Sequence, residues 1–487
     1  MNPDPRRRLH DTIVRLPRAE ELRPRELGEP AERRPRQLFT PQFILLYGFI
    51  GLIAVGSVLL YLPISDAAGR DTSPVVALFT ATSAVTVTGH TAVSTAQHWS
   101  YFGQAVIFVL MLVGGLGFMA AATFVLLLIG QKATSISHQL VLRETIGGDQ
   151  LGDLRKIAVR IVTVVFIIYV LGAVILFPSI QEITGFGMME SMWQSLFLSV
   201  SSFNNAGFSI LPEISDARSL AILDNQWVIQ SAMAVLIIVG CIGWTVLVDI
   251  NQRKRFSRLS LDTKLVLIGS VALWVLGFGV YLLASFLSVG NENDLSLLSR
   301  SGEAMFHSIS GRTAGFIIAD FGAAEDFTKL VFTFLMLIGG GSGSVAGGIK
   351  VNTLMVVVAA VVSSIRARPQ TEAFGREIPQ TQVFRALAIG ALALAFIMIT
   401  VPVLTITEAA SLRSGEMHFL DLFFDTVSAF ATNGSSTGIV PQLGTSGQLI
   451  FIGAMLLGRI GPLTLALALA PQEKFLYRFA QERVRIG

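Results

Sequence analysis

Glycine-bearing stretches, rather than any cluster of ionisable side chains, hold the residues able to do chemistry in this chain. Four share a pattern, SAVTVTGH (83–90), SSFNNAGF (201–208), SGRTAGFI (310–317) and SAFATNGS (428–435), and a fifth is denser, GGGSGSVAGGIK (339–350). A glycine-rich run ending in lysine is first tested as a phosphate cradle, in which backbone amides and a lysine hold a nucleotide. The spacing fails. Gly343 and Gly348 stand at G-x-x-x-x-G separation, but Ile349 follows, Lys350 comes one place late and Val351 replaces the metal-binding hydroxyl. No nucleophile is spaced with a base, and His90 and His307 have no metal-ligand partner at useful spacing. The single cysteine, Cys241, permits neither an intrachain disulfide nor a thiolate cluster. The chain is therefore not read as an enzyme, and no cofactor is expected in it.

Composition says what must hold these loops in place. Hydrophobic residues make up 52% of the 487 and charged residues only 14%, against about 25% charged in soluble proteins. The chain reads as an integral membrane protein whose surroundings are the lipid bilayer, with no nucleic-acid partner. A spanning helix needs about 20 apolar residues, and candidates lie near 42–63, 102–130, 157–179, 226–249, 264–289, 327–362, 383–408 and 447–470. Between the members of each successive pair lies a segment too short to cross, near 74–86, 188–202, 299–310 and 417–430, each followed by one of the four patterned loops. These segments read as re-entrant.

Basic residues orient the chain, because cytoplasmic connections are enriched in them. The first 38 residues, with ten arginines among acids and prolines and no signal-peptide core, read as a charged cytoplasmic tail. Together with the connections 131–160, 251–264 and 363–385 and the C-terminal segment, the tail holds 28 of the 36 lysines and arginines. The connections carrying the short segments hold six: Arg70, Arg218, Arg300, Arg312, Lys329 and Arg413. Both termini are then cytoplasmic and each loop enters from outside. Lys350 and Arg459 remain, both inside apolar spans.

The loops align on Gly89, Gly207, Gly315 and Gly434, with separations of 118, 108 and 119 residues. Ten places before each glycine stand Phe79, Phe197, Met305 and Phe424, and six places before it Ser83, Ser201, Ile309 and Ser428. The third unit has Phe306 and Ser310 one place nearer its glycine, either a local offset or chance. The fold class expected is an all-α membrane protein with eight transmembrane helices. They form four pseudo-symmetric helix/pore-helix/filter-loop/helix repeats around a central pore. The divisions are the tail 1–38, repeats at 40–130, 155–250, 262–364 and 382–470, and a cytoplasmic segment 471–487.

Non-helical backbone at membrane depth must be buried in protein or line a wet cavity. Glycine adopts positive φ at little cost, so four loops meeting on one axis can turn carbonyl oxygens toward it and replace a cation's water shell. A short helix ending at each loop aims a partially negative terminus inward. The filter on this reading comprises Val87, Thr88 and Gly89, then Asn205, Ala206 and Gly207, then Thr313, Ala314 and Gly315, and finally Thr432, Asn433 and Gly434. No carboxylate ring is present, which speaks for a monovalent cation. The competing reading has these glycines serving turns and close helix packing.

The motifs ATSAVTVTGHT, FNNAGF, RTAGF, ATNGSSTG, GGGSGSVAGGIK with VNT, and GRIGPLTL resemble those of the Trk/Ktr/HKT superfamily of potassium-translocating membrane proteins. Within it the likeness is to the bacterial KtrB-type membrane subunit, because no additional hairpin precedes the first repeat. The likeness covers residues 40–487. It implies a potassium-channel-like fold conducting K+ along its electrochemical gradient, with Na+ as an activator. The alternative is a K+/Na+ or K+/H+ symporter on the same fold. It further implies a homodimer in the bacterial plasma membrane, docked on a cytoplasmic octameric ring of KtrA-type subunits that bind ATP or ADP.

The likeness also assigns Gly339, Gly340, Gly341, Ser342, Gly343, Ser344, Gly347 and Gly348 to an intramembrane gate below the filter, with Arg459 beside it. A packing motif at Gly343-x-x-x-Gly347 competes with the gate reading, as snorkelling does for Arg459. Lys350 ends the loop, as a gating or an anchoring residue. In the fourth loop Asn433 stands where relatives often have an apolar residue, which would put an amide near the ion path.

Overall fold

The computed structural model describes residues 41–116, 154–212, 220–223, 226–287, 297–318 and 321–461. The tail 1–38, the segment 471–487 and the basic connection at 131–153 lie outside them.

The chain opens with α1 (Pro41–Tyr61), short α2 (Pro74–Thr86) and α3 (Tyr101–Leu116). The order recurs as α4 (Leu154–Thr184), α5 (Met188–Phe203) and α6 (Trp227–Ile242), continued by α7 (Trp244–Arg253). Then come α8 (Leu261–Leu287), α9 (Leu297–Thr313), α10 (Asp326–Met336) and α11 (Val351–Ile365). The last group is α12 (Gln380–Thr407), α13 (Phe419–Ala431) and α14 (Thr445–Ile460).

Two kinds of helix divide the work. In α4, α8 and α12 only 28% of the apolar window is buried, and outward residues such as Phe166, Val174, Val275 and Ile399 are more than half exposed. A helix apolar on its outer face is stable against lipid, where every backbone group must bond within the helix. The protein is membrane-embedded and multi-pass. By contrast α2 and α13, 13 residues each, rise only about 20 Å and are almost wholly buried. Pro74 suits the first position of α2 because it has no N–H to leave unpaired. Further along, Thr82 and Thr86 donate to the Leu78 and Thr82 carbonyls at 2.8 and 2.7 Å, so their hydroxyls are satisfied in apolar surroundings.

Buried apolar residues gather around the short helices. One cluster joins α2 to α1 and α3, another joins α5 to α4 and α6. Two more surround α13 with α12, α14 and α10. Lys329 on α10 donates to Asp421 on α13 and to the Gly322 carbonyl, both at 2.8 Å, so this buried charge is paired as such burial requires.

Three features depart from a plain reading of the spans. The span near 226–249 is bent by 92° between α6 and α7. That near 327–362 leaves the helix from Leu337 to Lys350. A small hairpin, β1 (Glu372–Ala373) with β2 (Arg376–Glu377), adds strands to what is otherwise helical among the described residues. Its turn uses positive φ at Phe374 (50°) and Gly375 (70°), which matches the twist of a two-residue hairpin. The spans near 102–130 and 447–470 are described only as far as residues 116 and 461.

Candidate functional site

Each short helix ends at a loop whose glycine is left-handed: Gly89 at φ 89°, Gly207 and Gly315 at 71°, Gly434 at 90°. The four loops touch in a closed circuit. A Cβ on Gly89 would meet the Ala206 carbonyl oxygen, one on Gly207 the Ala314 oxygen at 2.8 Å, one on Gly315 the Asn433 oxygen, and one on Gly434 the Thr88 oxygen. The path runs from first loop to second, third and fourth, then back to the first. Each time the residue reached is the one before the next glycine. All four approaches are inside 3.0 Å, closer than any real side chain tolerates, so only glycine keeps the circuit closed.

Local chemistry makes three loops alike. Val87, Asn205 and Thr432, two places before their glycines, turn out of the helix at φ 52°, 54° and 50°. For the β-branched Val87 and Thr432 such strain costs roughly 1–3 kcal/mol, a sign of structure imposed from around them. The next N–H donates to the serine carbonyl five residues back: Thr88 to Ser83 at 2.8 Å, Ala206 to Ser201 at 2.8 Å, Asn433 to Ser428 at 3.0 Å. In the first and fourth loops the glycine N–H also reaches that serine's hydroxyl, at 3.1 Å in each.

The third loop is displaced by one residue. Its helix runs on through Thr313, and Gly315 itself donates to the Ser310 carbonyl at 2.9 Å. The serine therefore stands five places before the glycine instead of six. Side chains then tie loop to loop: Thr313 donates to Asn205 Oδ1 at 3.0 Å, and Asn433 Nδ2 to the Gly311 carbonyl at 2.8 Å. With its Oδ1 accepting from the Ser435 N–H and hydroxyl at 3.0 and 2.7 Å, the Asn433 amide binds protein groups.

The fifth glycine stretch is a compact, pinned loop. Its ends pair, Gly339 N–H to the Ile349 carbonyl at 2.8 Å and Ile349 N–H to that of Leu337 at 3.1 Å. Because α6 stops at Ile242, its last carbonyls lack intrahelical donors, and the loop supplies two: Gly341 to Cys241 at 2.8 Å, Val345 to Gly240 at 3.3 Å. Gly243 takes φ 95° and ψ 145°, and where its Cβ would stand the Ser342 carbonyl lies 2.7 Å away. Charged and amide groups hold the loop from other sides. Arg459 donates to the Val345 carbonyl and, at 2.6 Å, to that of Gly114, and Lys350 donates to Ala346. Ser342 N–H donates to Asn352 Oδ1 at 2.9 Å, and Asn352 donates in turn to Asp262. On its far side Gly347 packs against the Thr432 side chain and Gly348 against the Ala431 carbonyl.

Residues 35–478 match the TrkH family, described as cation transport proteins. The chain is 35% identical over 453 residues to the Ktr system potassium uptake protein B of Bacillus subtilis, covering 92% of this chain and 97% of that one. The chain belongs to the TrkH cation-transport family. Its family is one of transporters, not enzymes. The potassium/sodium uptake protein NtpJ of Enterococcus hirae is 34% identical, with 94% and 99% of the two chains aligned. In fold, this TrkH-family chain is similar to the crystal structure of the potassium transporter TrkH from Vibrio parahaemolyticus. The TM-score is 0.67 at 19% identity, with 91% of this chain and 86% of that chain covered.

Several residues of this TrkH-family site carry little signal in the sequence. A Cβ on Gly114, Gly240 or Gly458 would collide with the carbonyl oxygen of Val85, Phe203 or Phe430, each four places before a loop glycine. Three second helices thus lie directly on the ends of short helices, but a lone glycine in an apolar span reads only as packing. Arg312, grouped by sequence with outer-connection charges, is 1% exposed. It donates to the Ser270 carbonyl at 3.2 Å and lies over the Trp274 ring, 5.1 Å from its centroid. Its place one turn before Gly315 was the available clue. His90 is buried edge-on against Phe451 and His307 is stacked on Tyr281, and no metal-binding cluster occurs among the described residues.

Proposed function

We propose that this chain is the ion-conducting membrane subunit of a Ktr-type potassium uptake system, passing K+ along its electrochemical gradient through the four glycine loops. The closed circuit of loop backbones carries the reading. It gathers four chain segments, each at the end of a buried short helix, within contact distance of one another. Carbonyl groups so gathered can replace a cation's hydration shell, and the helix ends add partial negative charge. The pathway is thus organised as four helix/pore-helix/filter-loop/helix repeats with eight spans. The relatives named for potassium uptake, and for potassium/sodium uptake, agree with a monovalent cation.

Residues 339–348 form the gate in this proposal. The loop rests against Thr432 and Ala431 at the inner end of the fourth filter loop and is held by Arg459, which fits a plug withdrawn when that hold is released. Na+ acts as an activator, both termini are cytoplasmic in the bacterial plasma membrane, and the chain works as a homodimer on a KtrA-type ring binding ATP or ADP. The relatives' description as parts of a Ktr system supports a multi-component assembly.

The test is K+ and Na+ uptake into liposomes holding the purified chain, native against Gly315→Ser and against a shortened 339–348. K+ preference that Gly315→Ser erodes, with faster flux from the shortened loop, is the expected result. Flux untouched by either change, or absent with a regulatory partner added, rejects the pore.

A further inference from the structure

Where the fourth loop returns from its glycine it is held by a carboxylate. Asp425, on α13 nine places before Gly434, is fully buried, and among the described residues no basic side chain forms an ion pair with its carboxylate. Its Oδ2 accepts from the Ser436 hydroxyl at 2.6 Å, and its Oδ1 from the Thr437 N–H at 2.9 Å, with the Thr437 hydroxyl at 3.4 Å. Ser436 in turn accepts from the Gly438 N–H at 3.0 Å. The carboxylate thus ties the residues two and three places after the glycine back to the loop's own short helix. At the matching place in the other units stand Thr80, Leu198 and, with the third unit's shift of one residue, His307, none a carboxylate, and the Thr80 hydroxyl is buried without a hydrogen-bond partner among the described residues.

On the near side of Gly434 the loop is held by Asn433 bonding to the Gly311 carbonyl in the last turn of α9. Between these two ties lie the Asn433 carbonyl, which abuts Gly315, and Gly434, which abuts the Thr88 carbonyl. The fourth loop therefore fixes two of the four junctions of the circuit. A carboxylate buried away from any cation costs several kcal/mol unless its lone pairs are satisfied, and here both oxygens are spent on this one segment.

We propose that Asp425 is a positioning residue for ion selection: by clasping Ser436 and Thr437 it sets the carbonyl positions of the fourth filter loop, and with them the preference for K+ over Na+. The inference rests on the reading of the four loops as a filter. Discrimination between two monovalent cations depends on where carbonyls stand and how far they yield. A loop released on its far side closes on the smaller ion.

The test measures K+ and Na+ flux in liposomes for Asp425→Ala, Asp425→Asn and Gly315→Ser. Asp425→Ala is expected to lower the K+/Na+ flux ratio by about fivefold or more while Na+ still passes. Asp425→Asn keeps the size and the acceptor for Thr437, and its amide can donate to Ser436, so its ratio should stay within about twofold of native. A native ratio in folded Asp425→Ala overturns the proposal, as does an equal fall in Asp425→Asn, which would place the effect in charge. If Asp425→Ala does not fold, Ser436→Ala decides: a fall of about twofold sustains the clasp, and an unchanged ratio rejects it. Gly315→Ser separates the two readings. Its failure to change the ratio sinks the filter itself, whereas a change there with none at Asp425 sinks this inference alone.

Discussion

Two second helices break in this molecule, and they break differently. The helix of the second unit turns 92° at one residue, Gly243, whereas that of the third dissolves from Leu337 to Lys350. Each break alone would leave buried main-chain groups without partners, at roughly 1–3 kcal/mol apiece. Together they cancel. The carbonyls of Gly240 and Cys241, left over where α6 ends, accept from Val345 and Gly341 of the loop, and the absent Cβ of Gly243 admits the Ser342 carbonyl. The difference teaches that the loop is no slack insertion: it is half of a paired structure whose other half is a bend.

The proposed withdrawal of the loop would cost those hydrogen bonds, and variants at the seam report how much. The largest effect is expected from Arg459→Ala, which removes charged donors from the Val345 and Gly114 carbonyls. Loss of about 1.4 kcal/mol from the closed arrangement corresponds to tenfold faster K+ uptake in liposomes. Uptake at the native rate would separate the arginine from gating. Gly243→Ala comes next. Its methyl meets the Ser342 carbonyl at a φ of 95° that alanine resists, so flux should rise about fivefold and thermal stability fall by about 2 kcal/mol. A stable, slow Gly243→Ala protein would show that the bend does not depend on the loop.

Asn352→Ala should have a smaller effect, about twofold in flux, because it frees only the Ser342 N–H and the Asp262 contact. Cys241→Ala sharpens the comparison from the other side. The Cys241 carbonyl, not its thiol, accepts from Gly341, so flux should stay within about twofold of native. A large change would mean that side-chain packing, not the main chain, carries the seam.

The two breaks were not equally legible. GGGSGSVAGGIK in an apolar run reads as an interruption because glycine and serine are poor helix formers. Gly243, in the run VGCIGWTV, reads as one more small residue of a packed span. The loop glycines were legible through repetition, and even the third unit's shifted serine corresponds to a hydrogen bond shifted by one residue. Their circuit was not, because a carbonyl oxygen belongs to every residue type and leaves no mark on spacing. For the same reason Gly114, Gly240 and Gly458 carried no signal, and the engagement of the Asn433 amide with Gly311 and Ser435 left none either.

Residue types alone dictate that the chain lies in a membrane, that four short helices end in glycine loops, and that one span is interrupted. These follow from local hydropathy and backbone propensity, which act within a few residues. The order in which the loops touch, the mating of the bend with the 339–350 loop, the burial of Arg312 and the Asp425 clasp arise only on packing. They join groups as far apart in sequence as Gly114 and Arg459, and their energies come from main-chain and side-chain polar groups brought together in a medium that offers no other partner.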